Sequence, residues 1–482
     1  MRVVTTVLLT AGSVLLTNCS DAPKTAVPAT VVRKNPVVIY VVDTLRADRL
    51  GILGYPGGKA PNLDALAKES VVFERAYAAA PWTLPSMTSV ITSTPLCAHG
   101  VADAKKTLSP KLNTIAEQLK AKGYRTGALY NNFHVGAISG LDRSYDVSKY
   151  RPEQDDNALP DIKAYLDTVG SDPFLMYVHT REVHHPFATP YEFTKPFGHI
   201  PPEEKEGYLQ LHLSYRMLKF ADSSSDRPLG TTDNTDLQNR LKARLETIRP
   251  LMSRMYDASV YYADDNLGKV IAELKARKLW DDTLFIFLAD HGEELGEHGG
   301  WFHDQSVYEE LVHVPFMIKF PQGEFAGRRI ADRVSLLDVK PTLYAALGQA
   351  GLCDQCRGLD LLPLLQGAAV PRTPGSDAVS LRANFTTYYK PLKQAKGDTN
   401  LAMRRDNWKV IWNEEPETVE LYNLATDPGE LQNRSASEPE LSRELRDEAV
   451  GWLETCRASA PGVEIRELDD RAKQQLRSMG YF

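Results

Sequence analysis

Three short segments carry side chains that could bind a metal ion or attack an ester. Asp43 directly follows the apolar run Val37–Val42, where a carboxylate can bind a divalent cation, although Asp also caps helices often. Thr83 precedes a predicted helix whose N-terminal N–H groups favour an alkoxide or an anion, a helix-capping threonine being the alternative. Asp290 and His291 lie in a loop rich in glycine and carboxylates. Imidazole with carboxylate suits zinc or manganese, and an all-oxygen set suits calcium or magnesium.

Histidines add to these three segments. His179, His184 and His185 follow closely on an apolar strand-like run, and His303 follows the loop that contains Asp290. One or two of them could be structural histidines that hydrogen-bond within the core. Since three separate segments bring histidines to the predicted strand ends, a purely structural explanation of all of them is less favoured.

The elements that would position these residues alternate along the chain. The predicted strands cover 37–42, 126–130, 174–179, 284–289 and 314–320, and the predicted helices cover 62–70, 112–122 and 251–278. Strands separated by helices predict parallel pairing in a doubly wound α/β sheet. Sites in such sheets form beyond the carboxyl ends of the strands, where Asp43 and Asp290 both lie. We therefore expect these two carboxylates to share one site.

Two regions depart from this alternation. The polar segment 191–250 is interpreted as an insertion that covers or flanks the site, or as a flexible loop without a role. Beyond residue 370, short strands at 402–405, 408–412 and 419–422 and a helix at 441–458 predict a small C-terminal α+β subdomain. The predicted organisation is a signal peptide at 1–19, a linker at 20–36, a catalytic domain at 37–370 and a subdomain at 371–482.

The N-terminus indicates export. Arg2 precedes an apolar stretch, Val3 to Leu16, that is typical of a secretory signal and is too short to span a bilayer. Cys19 resembles the lipidated cysteine of a bacterial lipoprotein signal, although Asn18 departs from that pattern and a plain signal peptide is the alternative. We expect a periplasmic protein or an outer-membrane lipoprotein of a bacterium, attached to the membrane if Cys19 is lipidated.

Composition and charge argue against one class of partner, and the cysteine spacing argues against a redox role. The 482 residues are 43% hydrophobic and 25% charged, as in soluble globular proteins. A net charge of −7 without a long basic run argues against nucleic acid as a partner. Cys353 and Cys356 are predicted to form a small loop disulfide, because no thioredoxin-like context supports a redox role.

From Val37 to the C-terminus the chain resembles the sulfatase branch of the alkaline-phosphatase superfamily. The segments that carry the resemblance are VVIYVVDTLRADRLG, APNLDALAKESVVFERAYAAAPWTLPSMTSVITS, VHHPF, DDTLFIFLADHGEELGEHG, LYNLATDPGELQN and LRSMGYF. They are collinear and spread over most of the chain. The resemblance implies an alkaline-phosphatase-like, doubly wound, mostly parallel sheet with flanking helices and a small C-terminal α+β subdomain.

The resemblance also implies roles for individual residues. Asp43, Asp290 and His291 would hold a divalent metal ion, which could be manganese, zinc or calcium. Thr83 would be both the nucleophile and a metal ligand. His184 and His303 would contact the anionic substrate or protonate the leaving group.

Several positions depart from the family pattern. In sulfatases the first residue of the pattern Cys/Ser-x-Pro-x-Arg is oxidised to formylglycine, but this chain has TLPSM at 83–87. Thr83 cannot give that aldehyde because its β-carbon carries a methyl group, and Met87 replaces the arginine. Thr44 replaces a second metal-binding carboxylate, and His303 replaces a substrate-binding lysine. A Thr83 alkoxide would instead form a phosphothreonine, released by in-line attack of water or an alcohol.

Three functions follow from this pattern. The first is a phosphoric-ester hydrolase or phosphotransferase acting on a small-molecule or envelope ester. A threonine nucleophile with this metal set resembles lipoteichoic-acid synthases and nucleotide pyrophosphatase/phosphodiesterases. Those phosphodiesterases use two zinc ions. In this chain the sequence assigns a complete set of ligands for one metal ion, and His184 or His303 could contribute to a second ion. The others are a sulfuric-ester hydrolase that works without formylglycine and an inactive anion-binding protein.

Overall fold

A computed structural model describes residues 32–103, 106–136, 139–151, 157–187, 189–198, 200–223, 235–370, 379–382, 399–414, 416–460 and 464–465. The predicted signal peptide, Cys19 and most of the linker lie outside these ranges, as does the closing LRSMGYF segment. No helix within the described ranges is long and apolar enough to cross a membrane.

The described strands and helices alternate over most of the chain. The strands are β1 (Val37–Val42), β2 (Val71–Tyr77), β3 (Lys106–Thr107), β4 (Arg125–Tyr130), β5 (Val147–Tyr150), β6 (Phe174–Thr180), β7 (Leu284–Leu288), β8 (Glu294–Leu295), β9 (Trp301–Phe302), β10 (His313–Lys319), β11 (Arg329–Ser335), β12 (Ser380–Arg382), β13 (Asn400–Arg405), β14 (Trp408–Asn413), β15 (Thr418–Asn423) and β16 (Glu464–Ile465). The helices are α1 (Pro61–Lys68), α2 (Thr83–Thr92), α3 (Leu96–His99), α4 (Ile115–Ala121), α5 (Leu159–Val169), α6 (Tyr191–Thr194), α7 (Pro202–Ser223), α8 (Thr235–Ala276), α9 (Glu309–Val312), α10 (Val339–Ala346), α11 (Leu362–Leu365) and α12 (Pro439–Ala458).

An eight-stranded sheet forms the core, in the order β11-β2-β10-β7-β1-β6-β4-β5. At its centre β1 pairs in parallel with both β6 and β7. All residues of β1 and β7 are buried, because helices cover both faces of the sheet. Strands buried on both faces read as continuous apolar runs, which is why the sequence predicts them correctly. The mostly parallel, doubly wound fold is confirmed.

The strand predicted at 314–320 is an exception to the parallel order. It corresponds to β10, which runs antiparallel to β7 and β2. The chain between β7 and β10 contains two short strands, a 3-10 turn and the single-turn helix α9, and it forms no helical crossover of the kind that parallel pairing requires. The expectation of parallel pairing is therefore wrong for this strand.

Other differences have simple causes. Strands β5 and β11 were not predicted because they lie at the two edges of the sheet, where most of their residues are exposed or half-buried. Helix α8 begins at Thr235 and not at residue 251, since it continues through Pro250. The segment 191–250 therefore contains α6, α7 and the first part of α8, and the interpretation as a flexible loop is wrong for its described residues.

The C-terminal region forms a second, smaller sheet. Strands β12 to β15 pair antiparallel, and the helix predicted at 441–458 is α12. The predicted α+β character of this region is confirmed. A disulfide between Cys97 and Cys456 joins α3 to α12, and the predicted loop disulfide between Cys353 and Cys356 is present.

Candidate metal and nucleophile site

Asp43 and Asp290 come together at the carboxyl ends of two neighbouring parallel strands. Asp43 follows β1 and Asp290 lies two residues beyond the end of β7, and both side chains are fully buried. One oxygen of Asp290, Oδ1, accepts hydrogen bonds from the backbone N–H groups of Thr44 at 3.2 Å and His291 at 2.9 Å. Asp290 Oδ2 and Asp43 Oδ1 make no hydrogen bond of ordinary geometry to any described residue. Buried carboxylate oxygens in this situation fit a bound cation.

Two imidazoles face the carboxylate pair. His291 Nε2 lies 3.5 Å from Asp43 Oδ1 and 3.4 Å from Asp290 Oδ2, while its Nδ1 lies 2.8 Å from the carbonyl oxygen of Gly292. His179 Nε2 lies 3.5 Å from Asp43 Oδ2 and 3.8 Å from Asp290 Oδ2. The carbonyl oxygen of Gly292 thus holds the far side of the His291 ring, which fixes Nε2 toward the carboxylates.

His179 has no separate role in the site that the sequence predicts. His179 lies on β6 and pairs in register with Val41 of β1, two residues before Asp43. The hydroxyl of Tyr177 lies 2.7 Å from His179 Nδ1 and orients the ring. The signal that could have identified this residue is its position at the carboxyl end of a strand predicted to be parallel to β1.

The buried carboxylates of Asp43 and Asp290 favour a positive charge between them. Burial raises the pKa of Asp290, and the neighbouring charge of Asp43 raises it further, to about 8. Burial also acts on Asp43, but the imidazoles of His184, His179 and His291 outweigh it and lower the pKa of Asp43. Two neighbouring buried carboxylates are both ionised near neutral pH only when a cation compensates their charges.

The donor atoms fit a divalent metal ion. Asp43, His179 and Asp290 each bring one ligand atom within 4.8 Å of the others. Burial lowers the pKa of His291 to about 4, which leaves this ring neutral and able to donate a lone pair. Carboxylate and imidazole donors together suit zinc or manganese. The predicted ligands Asp43, Asp290 and His291 are thus brought together, with His179 added.

Thr83 lies beside this group. It is the first residue of α2, not a residue before the helix, and it is 3% exposed. Its Oγ1 lies 3.3 Å from His291 Nε2. The hydroxyl of Ser86, one turn along α2, donates a hydrogen bond of 2.6 Å to the carbonyl oxygen of Asp290. The first turn of α2 is therefore tied to the loop that carries the metal-binding candidates.

Asn132 is a second residue that sequence reasoning missed. Its side-chain amide donates hydrogen bonds to Asp43 Oδ2 at 2.6 Å and to Thr83 Oγ1 at 3.1 Å. Its Oδ1 accepts from the backbone N–H of His134 at 2.9 Å, which fixes the orientation of the amide. Asn132 follows β4, so the strand-end rule that indicated Asp43 applies to it as well.

The remaining predicted residues, His184 and His303, lie together on one side of the carboxylates and imidazoles described above. Their ring centroids are 4.9 Å apart, and the ring of His303 is 4.7 Å from that of His291. Burial lowers the pKa of His184 well below its usual value, and the nearby Arg181 guanidinium lowers it further. His184 is therefore neutral at pH 7.

Helix α7, from the segment 191–250, packs against this side of the site. The ring of His212 lies 4.9 Å from that of His185 and 4.8 Å from that of Phe302. Tyr208, one turn earlier, stacks on Phe187 at 5.9 Å. This segment therefore flanks the histidines directly.

Comparison with known proteins places the chain in a family. The sulfatase family model matches residues 35–349, more than half of the sequence. The chain belongs to the sulfatase family. A second model, for the C-terminal region of N-sulphoglucosamine sulphohydrolase, matches residues 296–451 of this family member.

Relatives of this sulfatase-family protein cover most of its length. An arylsulfatase of Clostridium perfringens is 24% identical over 463 residues, covering 84% of this chain and 91% of the relative. An N-acetylglucosamine-6-O-sulfatase of Bacteroides thetaiotaomicron is 22% identical over 497 residues, covering 89% and 86%. The crystal structure of phosphonate monoester hydrolase of Agrobacterium radiobacter superposes with a TM-score of 0.66 at 19% identity, covering 91% of this chain and 99% of that one. The protein is thus a hydrolase of sulfate or phosphate esters with the expected fold.

Proposed function

We propose that this sulfatase-family protein cleaves or transfers phosphoric esters, with Thr83 as the nucleophile. The observation that carries the proposal is the position of Thr83 Oγ1, within 3.3 Å of His291 Nε2 and 3.1 Å of the Asn132 amide. A hydroxyl at the start of a buried helix, beside a cluster of carboxylates and imidazoles, is placed to attack a tetrahedral anionic ester.

The chemistry of position 83 favours phosphate over sulfate. Formylglycine has a hydrogen on its carbonyl carbon, and threonine carries a methyl group there. Met87, at the place of the supporting arginine, is fully buried and apolar. A sulfatase mechanism that sheds sulfate from an aldehyde hydrate therefore has no starting group in this chain.

A divalent ion held by Asp43, Asp290, His291 and His179 would lower the pKa of a hydroxyl bound to it and offset charge on the transferred group. The chain itself assists in two ways. The Asn132 amide donates a hydrogen bond to Thr83 Oγ1, which stabilises the developing alkoxide. The N-terminal dipole of α2 acts in the same direction because Thr83 is the first residue of that helix.

The reaction has two displacements. In the first, the Thr83 hydroxyl gives up its proton as Oγ1 attacks phosphorus, the bond from phosphorus to the leaving oxygen breaks, and that oxygen takes up a proton. In the second, water or an acceptor alcohol gives up its proton as it attacks the phosphothreonine in line, the bond between phosphorus and Thr83 Oγ1 breaks, and Oγ1 takes up a proton. Positioning and charge stabilisation, more than covalent chemistry, set the rate of such transfers.

His184 and His303 are proposed to act on the anionic group or the leaving oxygen. Both adjoin the carboxylate pair, and Arg181 adds a cation whose Nε lies 3.8 Å from Asp43 Oδ2. A planar guanidinium suits the oxygens of a phosphoryl group. An exported location and an envelope substrate remain proposals that rest on the sequence of residues 1–36.

A second candidate function is sulfuric-ester hydrolysis without formylglycine. The names of the relatives, an arylsulfatase and an N-acetylglucosamine-6-O-sulfatase, favour it. The Agrobacterium radiobacter protein, which shares the fold, is named as a phosphonate monoester hydrolase, and it supports an ester of phosphorus. The side-chain chemistry of Thr83 supports an ester of phosphorus.

One assay separates the candidates. The purified protein, loaded in turn with manganese, zinc and calcium, is offered aryl phosphodiester, phosphomonoester and sulfate esters. We expect turnover of a phosphorus ester, lost in Thr83→Ala and kept in Thr88→Ala, whose buried hydroxyl bonds to the Leu84 carbonyl in the same helix. Sulfate release without turnover of any phosphorus ester would overturn the proposal, and no turnover with any metal would favour an anion-binding protein.

A further inference from the structure

Largely buried charges connect the C-terminal sheet to helix α9. Lys409 on β14 and Arg404 on β13 have almost no exposed side-chain surface, and both reach Glu309, the first residue of α9. Lys409 Nζ lies 3.0 Å from Glu309 Oε1, and Arg404 Nη2 lies 2.6 Å from the same oxygen. Lys409 Nζ also lies 2.7 Å from Glu430 Oε1, and both of these side chains are fully buried. Two cations thus face two carboxylates where the C-terminal region meets α9.

Glu430 contacts two segments that follow Asp290 in the chain. Its Oε2 accepts a hydrogen bond of 2.7 Å from the backbone N–H of Glu309, at the start of α9. Its backbone carbonyl oxygen lies 3.2 Å from Nε2 of His298, in the turn between β8 and β9. Nδ1 of the same ring lies 2.8 Å from Glu310 Oε1. Glu430 therefore joins both α9 and the β8–β9 turn to the C-terminal region.

Helix α9 in turn contacts the loop that carries His291. The backbone N–H of Gly292 donates a hydrogen bond of 2.8 Å to the carbonyl oxygen of Leu311. The carbonyl oxygen of Gly292 lies 2.8 Å from His291 Nδ1, and Nε2 of this ring faces the two carboxylates. The packing is so close that a Cβ on Gly292 would lie 1.9 Å from the carbonyl oxygen of Glu310. A displacement of α9 would therefore displace His291.

We propose that Lys409 and Glu430 are positioning residues for the metal site, on which they act through α9 and the ring of His291. This inference rests on the metal site of the proposed function and adds the C-terminal sheet as the part of the fold that sets its geometry. Breaking a buried ion pair leaves an uncompensated charge, so the chain around Glu430 rearranges when Lys409 is replaced. Because residues behind the ligands orient them, this rearrangement lowers the affinity for the metal ion in a protein that is still folded.

The test is a double-mutant cycle with zinc affinity as the measured quantity. Lys409→Met removes the charge and keeps most of the side-chain length. Glu430→Gln leaves a single amide oxygen, which cannot make both contacts of the carboxylate. We expect each variant to lower the affinity for Zn²⁺, measured by competition with a chelating dye, by about 10-fold.

The double variant should recover most of this loss. With both residues replaced, Arg404 faces the carboxylate of Glu309 and the charges are balanced again. The amide oxygen at position 430 is then free to accept the backbone N–H of Glu309, as the carboxylate does in the wild type. A double variant that binds zinc as weakly as the single variants would overturn the inference.

Arg405→Met is the matched control. Arg405 lies on the same strand as Arg404, but it forms ion pairs with Glu444 and Glu448 of α12, so its loss should leave zinc affinity unchanged. All affinities are measured at a temperature at which melting curves show each variant folded. Single variants with lowered melting temperatures but wild-type zinc affinity would mean a purely structural role and would also overturn the inference. Zinc binding is measured without an ester, so a failure to turn over phosphorus esters counts against the proposed function alone.

Discussion

The side-chain amide nitrogen of Asn132 lies 3.1 Å from the hydroxyl oxygen of Thr83. The same nitrogen lies 2.6 Å from Asp43 Oδ2, so one amide joins the proposed nucleophile to a proposed metal ligand. Both contacts are buried, where a hydrogen bond to a developing charge is worth more than in water. We therefore expect Asn132 to contribute to the chemistry as well as to the geometry of the site.

Replacing Asn132 by alanine should slow the chemical step. Loss of one preorganised donor to a developing oxyanion costs roughly 10²- to 10³-fold in kcat. The measurement is kcat on an aryl phosphodiester at saturating metal. The control is Asn35→Ala, which changes a half-buried asparagine whose amide donates to the Asp282 carbonyl oxygen. A wild-type kcat in Asn132→Ala would remove the amide from the mechanism.

The sequence predicts the site only where residue type and strand position agree. Asp43, Asp290 and His291 follow long apolar runs, so their place at the carboxyl ends of parallel strands could be expected. Asn132 and His179 lie at the ends of strands as well, but asparagine and histidine there are common for other reasons. The pairing of β4 with β6, and of β6 with β1, brings these strand ends beside Asp43, and the side-chain contacts then show that both residues approach its carboxylate.

Replacing His179 should weaken metal binding. His179→Ala removes a nitrogen within 4 Å of both carboxylates, and we expect the affinity for the first ion to fall at least roughly 10- to 100-fold. Tyr177→Phe, which removes the hydrogen bond to His179 Nδ1, should give a smaller loss. Competition with a chelating dye measures both. Equal affinity in wild type and His179→Ala would mean that the ring is structural.

The long-range disulfide should stabilise the fold more than the short one. Cys97 and Cys456 are 359 residues apart, whereas Cys353 and Cys356 are 3 apart. Because a cross-link restricts the unfolded chain more when it closes a longer loop, Cys456→Ser should lower the free energy of unfolding by about 2–5 kcal/mol. Urea unfolding of Cys456→Ser and Cys353→Ser makes the comparison, and a larger loss in Cys353→Ser would contradict it.

The pairing of Cys97 with Cys456 shows what sequence alone could not supply. Two cysteines three residues apart indicate a local loop, but distant ones pair only if the fold brings them together. Here α12 of the C-terminal region packs against α3, which follows the nucleophile helix. Likewise β11 is too polar to read as a strand, and its place is fixed by pairing with β2.

The free energy of unfolding should fall as the pH rises, because His298 loses its proton. Burial disfavours its charged form, but the hydrogen bond and the charge of Glu310 outweigh this and raise the pKa of His298 to about 9. A histidine in the unfolded chain has a pKa of about 6.5. The contribution of charged His298 to the free energy of unfolding is therefore complete below about pH 6.5 and is lost as the pH rises through about 9. The fall in the free energy of unfolding between these pH values should be smaller in His298→Gln than in the wild type. An identical fall in both would exclude His298.

We propose that Thr83 carries the transferred group, and trapping the phosphothreonine tests this. The metal-loaded enzyme is mixed with excess aryl phosphodiester, quenched in acid within the first turnovers and digested, and the peptide containing Thr83 is analysed by mass spectrometry. We expect a phosphoryl ester on Thr83 in the wild type and none in Thr83→Ala. An unmodified Thr83 during phosphodiester turnover, or a Thr83→Ala enzyme that turns over at the wild-type rate, would exclude Thr83 as the nucleophile.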